Sequence, residues 1–153
     1  MTDVGHGLLG ALAPNHRARL LALAHEASFP AGTRLFDEGG TADRFWIVRA
    51  GLVALDVHVP GRPGPVVETL GEGELVGWSW LFEPYRWHLG AQARTDLRVA
   101  EFDARRVREA CAGDPAFGLA VTHGVARVIA RRLEATRTRL LDLYGPPTPG
   151  TAR

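Results

Sequence analysis

The chain has 153 residues, 46% hydrophobic and 23% charged, the balance of one soluble globular domain rather than a disordered or fibrous chain. Its single cysteine, Cys111, excludes an intrachain disulfide, a zinc finger and a four-cysteine iron–sulfur site. No apolar run reaches the ~18–20 residues of a membrane helix, and residues 1–12 lack a signal-peptide pattern, so a cytoplasmic protein without membrane contact is expected.

The net charge of +1 hides an asymmetry: residues 1–104 carry 9 arginines and 13 acids, residues 105–153 carry 9 arginines and 4 acids. All 18 basic residues are arginine.

Along the chain, the first helical pattern runs from about Pro14 to Glu26, with Leu20, Leu21, Leu23 and Ala24 as its apolar stripe and Pro14 in the first turn. From Phe29 to Asp103 the texture changes to short apolar runs between glycine and proline turns. Those runs are Thr33–Phe36, Phe45–Val48, Leu52–Val59, Val66–Leu70, Ala91–Arg94 and Leu97–Phe102. Each is too short for a helix and rich in β-branched or aromatic residues, and strands at this spacing predict a jelly-roll β-barrel. After Asp103 the helical period returns. Asp103 is placed to cap a helix through Ala110, and Asp114-Pro115 is a cap followed by proline at the first helical position.

No break then appears until Gly145-Pro146-Pro147, so one helix is expected over 115–144. Leu119, Thr122, Ala126, Ile129, Leu133, Thr136, Leu140 and Leu143 follow one another at steps of 3, 4, 3, 4, 3, 4 and 3, the seam of a two-helix coiled coil. A second stripe, Phe117, Val121, Val125 and Val128, lies round the helix from it. One stripe is expected to cover the barrel and the other to meet a second copy, making the helix a dimerisation helix and the chain a homodimer. The organisation expected is a domain over 1–144, with the barrel at about 29–103 and the helices at about 104–144, and a Pro-rich disordered tail over 145–153.

Several segments, in order, resemble the cyclic-nucleotide-binding domain family. Phe29-Pro30-Ala31-Gly32-Thr33-Arg34-Leu35-Phe36-Asp37-Glu38-Gly39 is similar to that family's opening strands. Ala42-Asp43-Arg44-Phe45-Trp46-Ile47-Val48-Arg49-Ala50-Gly51-Leu52-Val53 is similar to its next run, and Leu70-Gly71-Glu72-Gly73-Glu74-Leu75-Val76-Gly77 to its approach to the phosphate-binding cassette. Ala130-Arg131-Arg132-Leu133-Glu134-Ala135-Thr136 resembles the central helix of its catabolite activator branch.

The resemblance implies a ligand pocket drawn from Val67, Leu70, Leu75, Val76, Gly77, Trp78, Ser79, Arg86, Trp87, His88 and Thr136. It also implies a glutamate after the cassette glycine, an arginine for the phosphate with a small hydroxyl residue after it, and a helix threonine at the base. Here those positions hold Trp78, Trp87, His88 and Thr136. Arg86 neighbours the arginine position, but adjacent side chains on an extended segment point to opposite faces. Three of the four tryptophans fall in 77–88. They either fill the former nucleotide cavity, line a pocket for another planar ligand, or leave weak cyclic-nucleotide binding; no cofactor is assigned.

The function expected is a sensory or regulatory module acting through protein contacts, with Arg127, Arg131, Arg132, Arg137 and Arg139 facing an acidic protein partner. Two alternatives stand beside it: a ligand-free scaffold subunit with a closed pocket, and a haem or redox sensor using His88, since relatives of the fold hold haem through histidine. The family's winged helix-turn-helix needs roughly 50 further residues, so sequence-specific DNA binding by this chain alone is not expected. The sequence has no nucleophile elbow, Walker loop or metal-ligand spacing, so neither catalytic nor metal-ligating residues are assigned.

Overall fold

The computed structural model describes residues 7–144. Two short helices, α1 (Leu8–Ala11) and α2 (Pro14–Leu21), precede eight strands. The strands are β1 (Ala24–Phe29), β2 (Arg34–Phe36), β3 (Arg44–Ala50), β4 (Val53–Asp56), β5 (Val66–Leu70), β6 (Leu75–Val76), β7 (Gly90–Ala93) and β8 (Leu97–Asp103). A 3₁₀ turn over Ser79–Leu81 interrupts them, and α3 (Ala104–Gly113) and α4 (Pro115–Tyr144) follow.

The strands form two antiparallel sheets of four, ordered β1-β8-β3-β6 and β2-β7-β4-β5. The expected closed barrel is therefore not formed. Its would-be seams fall at edge strands of two to six residues, too short to carry a continuous ladder from one sheet to the other. The sheets pack face to face instead, which buries the same apolar surface without closure.

The central strand β3 shows why the core forms. Phe45, Trp46, Ile47 and Val48 are all buried, so both faces of the strand are covered. Successive side chains point to opposite faces. Trp46 stacks towards Phe36 of the other sheet at 5.8 Å between centroids, while Phe45 stacks on Trp80 at 3.9 Å and on Phe102 at 4.5 Å. The one carboxylate buried among these strands, Glu101, accepts the Trp46 indole N–H at 2.9 Å and lies 2.7 Å from His25 Nε2. That satisfies a group which would otherwise be costly to bury.

The first helix pattern overran. α2 stops at Leu21, and residues 24–26, expected to be helical, open β1, which pairs with β8 from Ala24↔Phe102 to Phe29↔Leu97. Pairing with a strand more than 70 residues away overrides the modest helix preference of Ala-His-Glu. The later helices start where their caps stand. The Asp103 carboxylate accepts the Arg106 N–H and the Asp114 carboxylate the Phe117 N–H, each at 3.3 Å.

α4 lays Phe117, Val121, Val125 and Val128 into the core, all buried, as the second stripe predicts. Gly124 lets α1 approach: a Cβ there would lie 2.7 Å from Leu8 Cδ1. The Pro-rich tail expected over 145–153 lies outside the described residues. No described helix is long and apolar enough to cross a membrane.

Candidate functional site

The segment from Gly77 to His88 crosses from β6 towards β7. Gly77 has φ +94°, a conformation open to glycine and costly for residues with a Cβ. The chain then closes its 3₁₀ turn, and the buried Trp80 indole donates to the Gly77 carbonyl at 2.9 Å. Arg108 of α3 donates to the Trp80 carbonyl at 2.7 Å and lies over the Tyr85 ring at 4.1 Å, tying the segment to the helices. Ser79 Oγ and His88 Nδ1 are 3.0 Å apart, and the His88 ring stacks on Trp78 at 5.1 Å.

Trp87 is clamped by its backbone to a glycine turn. Its N–H donates to the Gly40 carbonyl at 2.9 Å and its carbonyl accepts the Gly39 N–H at 2.8 Å. Its ring, 5% exposed, turns inward, stacks on Phe36 at 3.9 Å, and presses against Gly77 so closely that a Cβ there would sit 2.6 Å from it. The cleft left between Gly77, Trp78, Ser79, Trp87, His88 and their neighbours is about 30 Å³. That is room for about one water molecule, against the roughly 300–1,000 Å³ of a typical small-molecule site.

Of the pocket residues expected from sequence, Gly77, Trp78, Ser79, Trp87 and His88 line this cleft. Leu70, Leu75 and Val76 are core residues beneath it, fully buried. Val67 turns its carbonyl to Arg139 Nη1 at 2.8 Å. Arg86 points outward, its guanidinium donating to the Gly39 carbonyl at 3.3 Å, as strand alternation requires once Trp87 points in. Thr136 is exposed on α4, where Arg139 Nη2 donates to its hydroxyl at 3.3 Å, and does not line the cleft.

Phe36, Leu55, Leu89 and Arg132 line the cleft without having been expected there. For Arg132 a signal existed: it stands one helical turn before Thr136, on the same face of α4. It also corrects the reading of the helix arginines as one partner-facing surface. The Arg132 side chain is 16% exposed, donates to the Leu75 carbonyl, and holds Nε 3.7 Å from Glu68. Arg139 lies 3.9 Å from the same carboxylate. Both therefore strap α4 to the β5–β6 edge rather than facing solvent alone. Desolvation lowers the Arg132 pKa, opposed by the charges of Glu68 and Glu74.

Haem does not fit here. The cleft beside His88 is far too small for a macrocycle. Among the described residues no three His, Cys, Asp or Glu side chains cluster as a metal site.

The family model described as the cyclic nucleotide-binding domain matches residues 26–114. A CRP-like cAMP-activated global transcriptional regulator from Mycobacterium tuberculosis is 27% identical over 144 residues, covering 94% of this chain and 62% of that protein. The solved catabolite activator protein of Thermus thermophilus aligns with a TM-score of 0.70 at 26% identity, over 89% of this chain and 62% of that one. The solved N-terminal domain of a transcriptional regulator from Streptomyces coelicolor A3(2) aligns at 0.69 with 27% identity, over 88% and 95% of the two chains. The chain thus spans about three-fifths of the length of the curated relatives it matches. Since the family match takes in nearly all of both sheets, the Gly77–His88 cassette and α3, and so more than half of the sequence, this chain belongs to the cyclic nucleotide-binding domain family, and within it resembles the catabolite activator proteins.

Proposed function

We propose that the chain is a regulatory module of cyclic-nucleotide-binding type whose cassette is closed by its own tryptophans, and that it works as a homodimer through contacts with another protein. The observation that carries this reading is Trp87. It stands where the family's phosphate arginine is expected, stacks on Phe36 at 3.9 Å and leaves about 30 Å³ beside Gly77. A nucleotide would have to displace a buried indole and would then lack both the arginine and the glutamate. Each missing charge-assisted hydrogen bond is worth about 1.5–3 kcal/mol.

The dimer rests on the exposed seam of α4, where Leu119 is 73% and Leu143 75% exposed in the single chain. A run of large apolar side chains at heptad spacing calls for a covering helix. The output surface is the exposed basic part of α4. The side chains of Arg127 and Arg137 have no ion pair or hydrogen bond among the described residues, and their guanidinium groups suit carboxylates of an acidic partner.

Calorimetric titration of the intact chain with cAMP tests the closed cassette. The expected dissociation constant is ~0.1 mM or weaker, given two lost polar contacts. A low-micromolar constant would overturn it, because it would require Trp87 to swing out and another group to take the phosphate.

A further inference from the structure

A second concavity lies on the opposite face of the β2-β7-β4-β5 sheet from the cassette, and it is far roomier. Leu55 and Ala91 pair across β4 and β7 and are buried, with Leu55 lining the cassette cleft. The alternate residues, Asp56 and Gln92, face the other way. Over that outer face arches the 57–65 hairpin, and between them is a cleft of about 680 Å³, within the range of sites for nucleotide-sized molecules.

We propose that this outer cleft binds a small metabolite carrying two phosphate or carboxylate groups, held between the guanidinium groups of Arg62 and Arg94. Nothing in this depends on the cassette being open or closed.

The argument begins with charge. Three arginines line the cleft, and one of them is spent. Arg34 donates from Nη2 to Asp56 at 2.7 Å and from Nε to Asp37 at 2.7 Å, so its charge is matched by two carboxylates. The hydrogen bond to Asp56 is the chief reason its pKa stands above the usual guanidinium value. Glu38, the next nearest acid along the chain, is also engaged, its carboxylate accepting the His58 backbone N–H at 2.7 Å. Arg62, on the hairpin, and Arg94, just beyond β7, make no side-chain hydrogen bond or ion pair among the described residues, although both line the same space. Of the side chains that line the cleft, the one carboxylate, Asp56, is paired with Arg34, while two cations are unpaired. Guanidinium groups grip phosphate or carboxylate oxygens through paired N–H donors, and two of them on separate walls suit a ligand with two anionic groups. His58 and Gln92 add neutral donors to the same lining.

The shape of the cleft is built into the backbone. Gly90 leaves a gap in β7 into which the Arg34–Asp56 pair lies flat, since a Cβ there would run into both side chains. Gly64 lets the hairpin close tightly on Val57, whose N–H donates to the Pro65 carbonyl at 3.1 Å. Pro60, Pro63 and Pro65 stiffen the loop that carries Arg62. A preformed wall reduces the ordering cost of binding.

Calorimetry on the intact chain at low salt, with inorganic pyrophosphate in one arm and citrate in the other, tests the proposal. Sub-millimolar binding of at least one is expected, and the tighter arm says whether phosphate or carboxylate is preferred. Arg62→Gln and Arg94→Gln should each weaken it by about tenfold, the scale of one charged hydrogen-bonding group. Arg86→Gln, which alters an exposed arginine outside this cleft, should leave it unchanged. Both cleft arginines are exposed, so a thermal melt of each variant should match the parent and separate lost binding from lost folding. Absence of binding in both arms up to millimolar concentrations overturns the proposal. So does equal binding by the Arg62→Gln, Arg94→Gln double variant, or tighter binding of a hexaglutamate peptide than of either small anion, which would make the cleft a dock for an acidic chain.

Discussion

Gly77 and Trp87 meet where a bound phosphate is expected in this family, and each explains the other. Gly77 adopts φ +94° and offers no side chain, which makes room for the indole edge. Trp87 occupies that room and gains a stacked partner in Phe36. Removing the ring leaves a cavity, so Trp87→Ala should cost about 3–5 kcal/mol in urea unfolding. Gly77→Ala combines an unfavourable positive φ with a Cβ 2.6 Å from the ring, and about 2–4 kcal/mol is expected. The double variant relieves the clash, so it should be more stable than the sum of the two losses predicts by about 1–2 kcal/mol. Strict additivity would mean that the ring and the glycine do not share the space. At this scale the sequence showed the aromatic cluster and the missing arginine and glutamate, but left a plug, a planar-ligand pocket and weak nucleotide binding side by side. The closed-cassette proposal rests on the direction of one indole relative to one glycine, and rotamers set by packing are not written in local sequence.

α4 is the element most legible in advance. Asp114-Pro115 marks its start, its two apolar stripes follow the helical period, and the structure has it from Pro115 to Tyr144. The stripe of Phe117, Val121, Val125 and Val128 is buried, while Leu133 and Leu140 of the other stripe are 67% and 55% exposed. Substituting Leu133→Glu with Leu140→Glu would place like charges face to face in a helix pair. Sedimentation should show a dimer for the parent at micromolar concentration and a monomer for the variant, with circular dichroism unchanged. A monomeric parent would refute the dimer. β1 and β6 were less legible for a physical reason. β6 has two residues, too few to show alternation, and β1 is held by pairing with β8 rather than by its own preferences.

For the molecule as a whole, the far half of α4 is held to the sheets by two guanidinium groups. Arg132 reaches the Leu75 carbonyl and Glu68, and Arg139 reaches the Val67 carbonyl and the same Glu68. Replacing Arg132 by alanine strands a buried carbonyl, so a stability loss of about 1–3 kcal/mol is expected. In the Arg132→Ala, Arg139→Ala variant, hydrogen exchange should quicken along α4 beyond Ile129 while the sheet amides keep their protection. Unchanged exchange in the helix would show that the straps carry no load. The same pairs show where sequence reading stops. Composition, turn residues, helix caps and apolar periodicity determined a β-rich fold with a long amphipathic helix, because each of those signals acts between residues close in the chain. Which arginine is a strap and which is free, which face of a strand looks onto the Gly77–His88 cassette and which onto the outer cleft, and whether eight strands close or stack were decided only by tertiary structure. Those outcomes turn on contacts between residues dozens of positions apart, where burial and charge pairing depend on what the rest of the fold brings alongside.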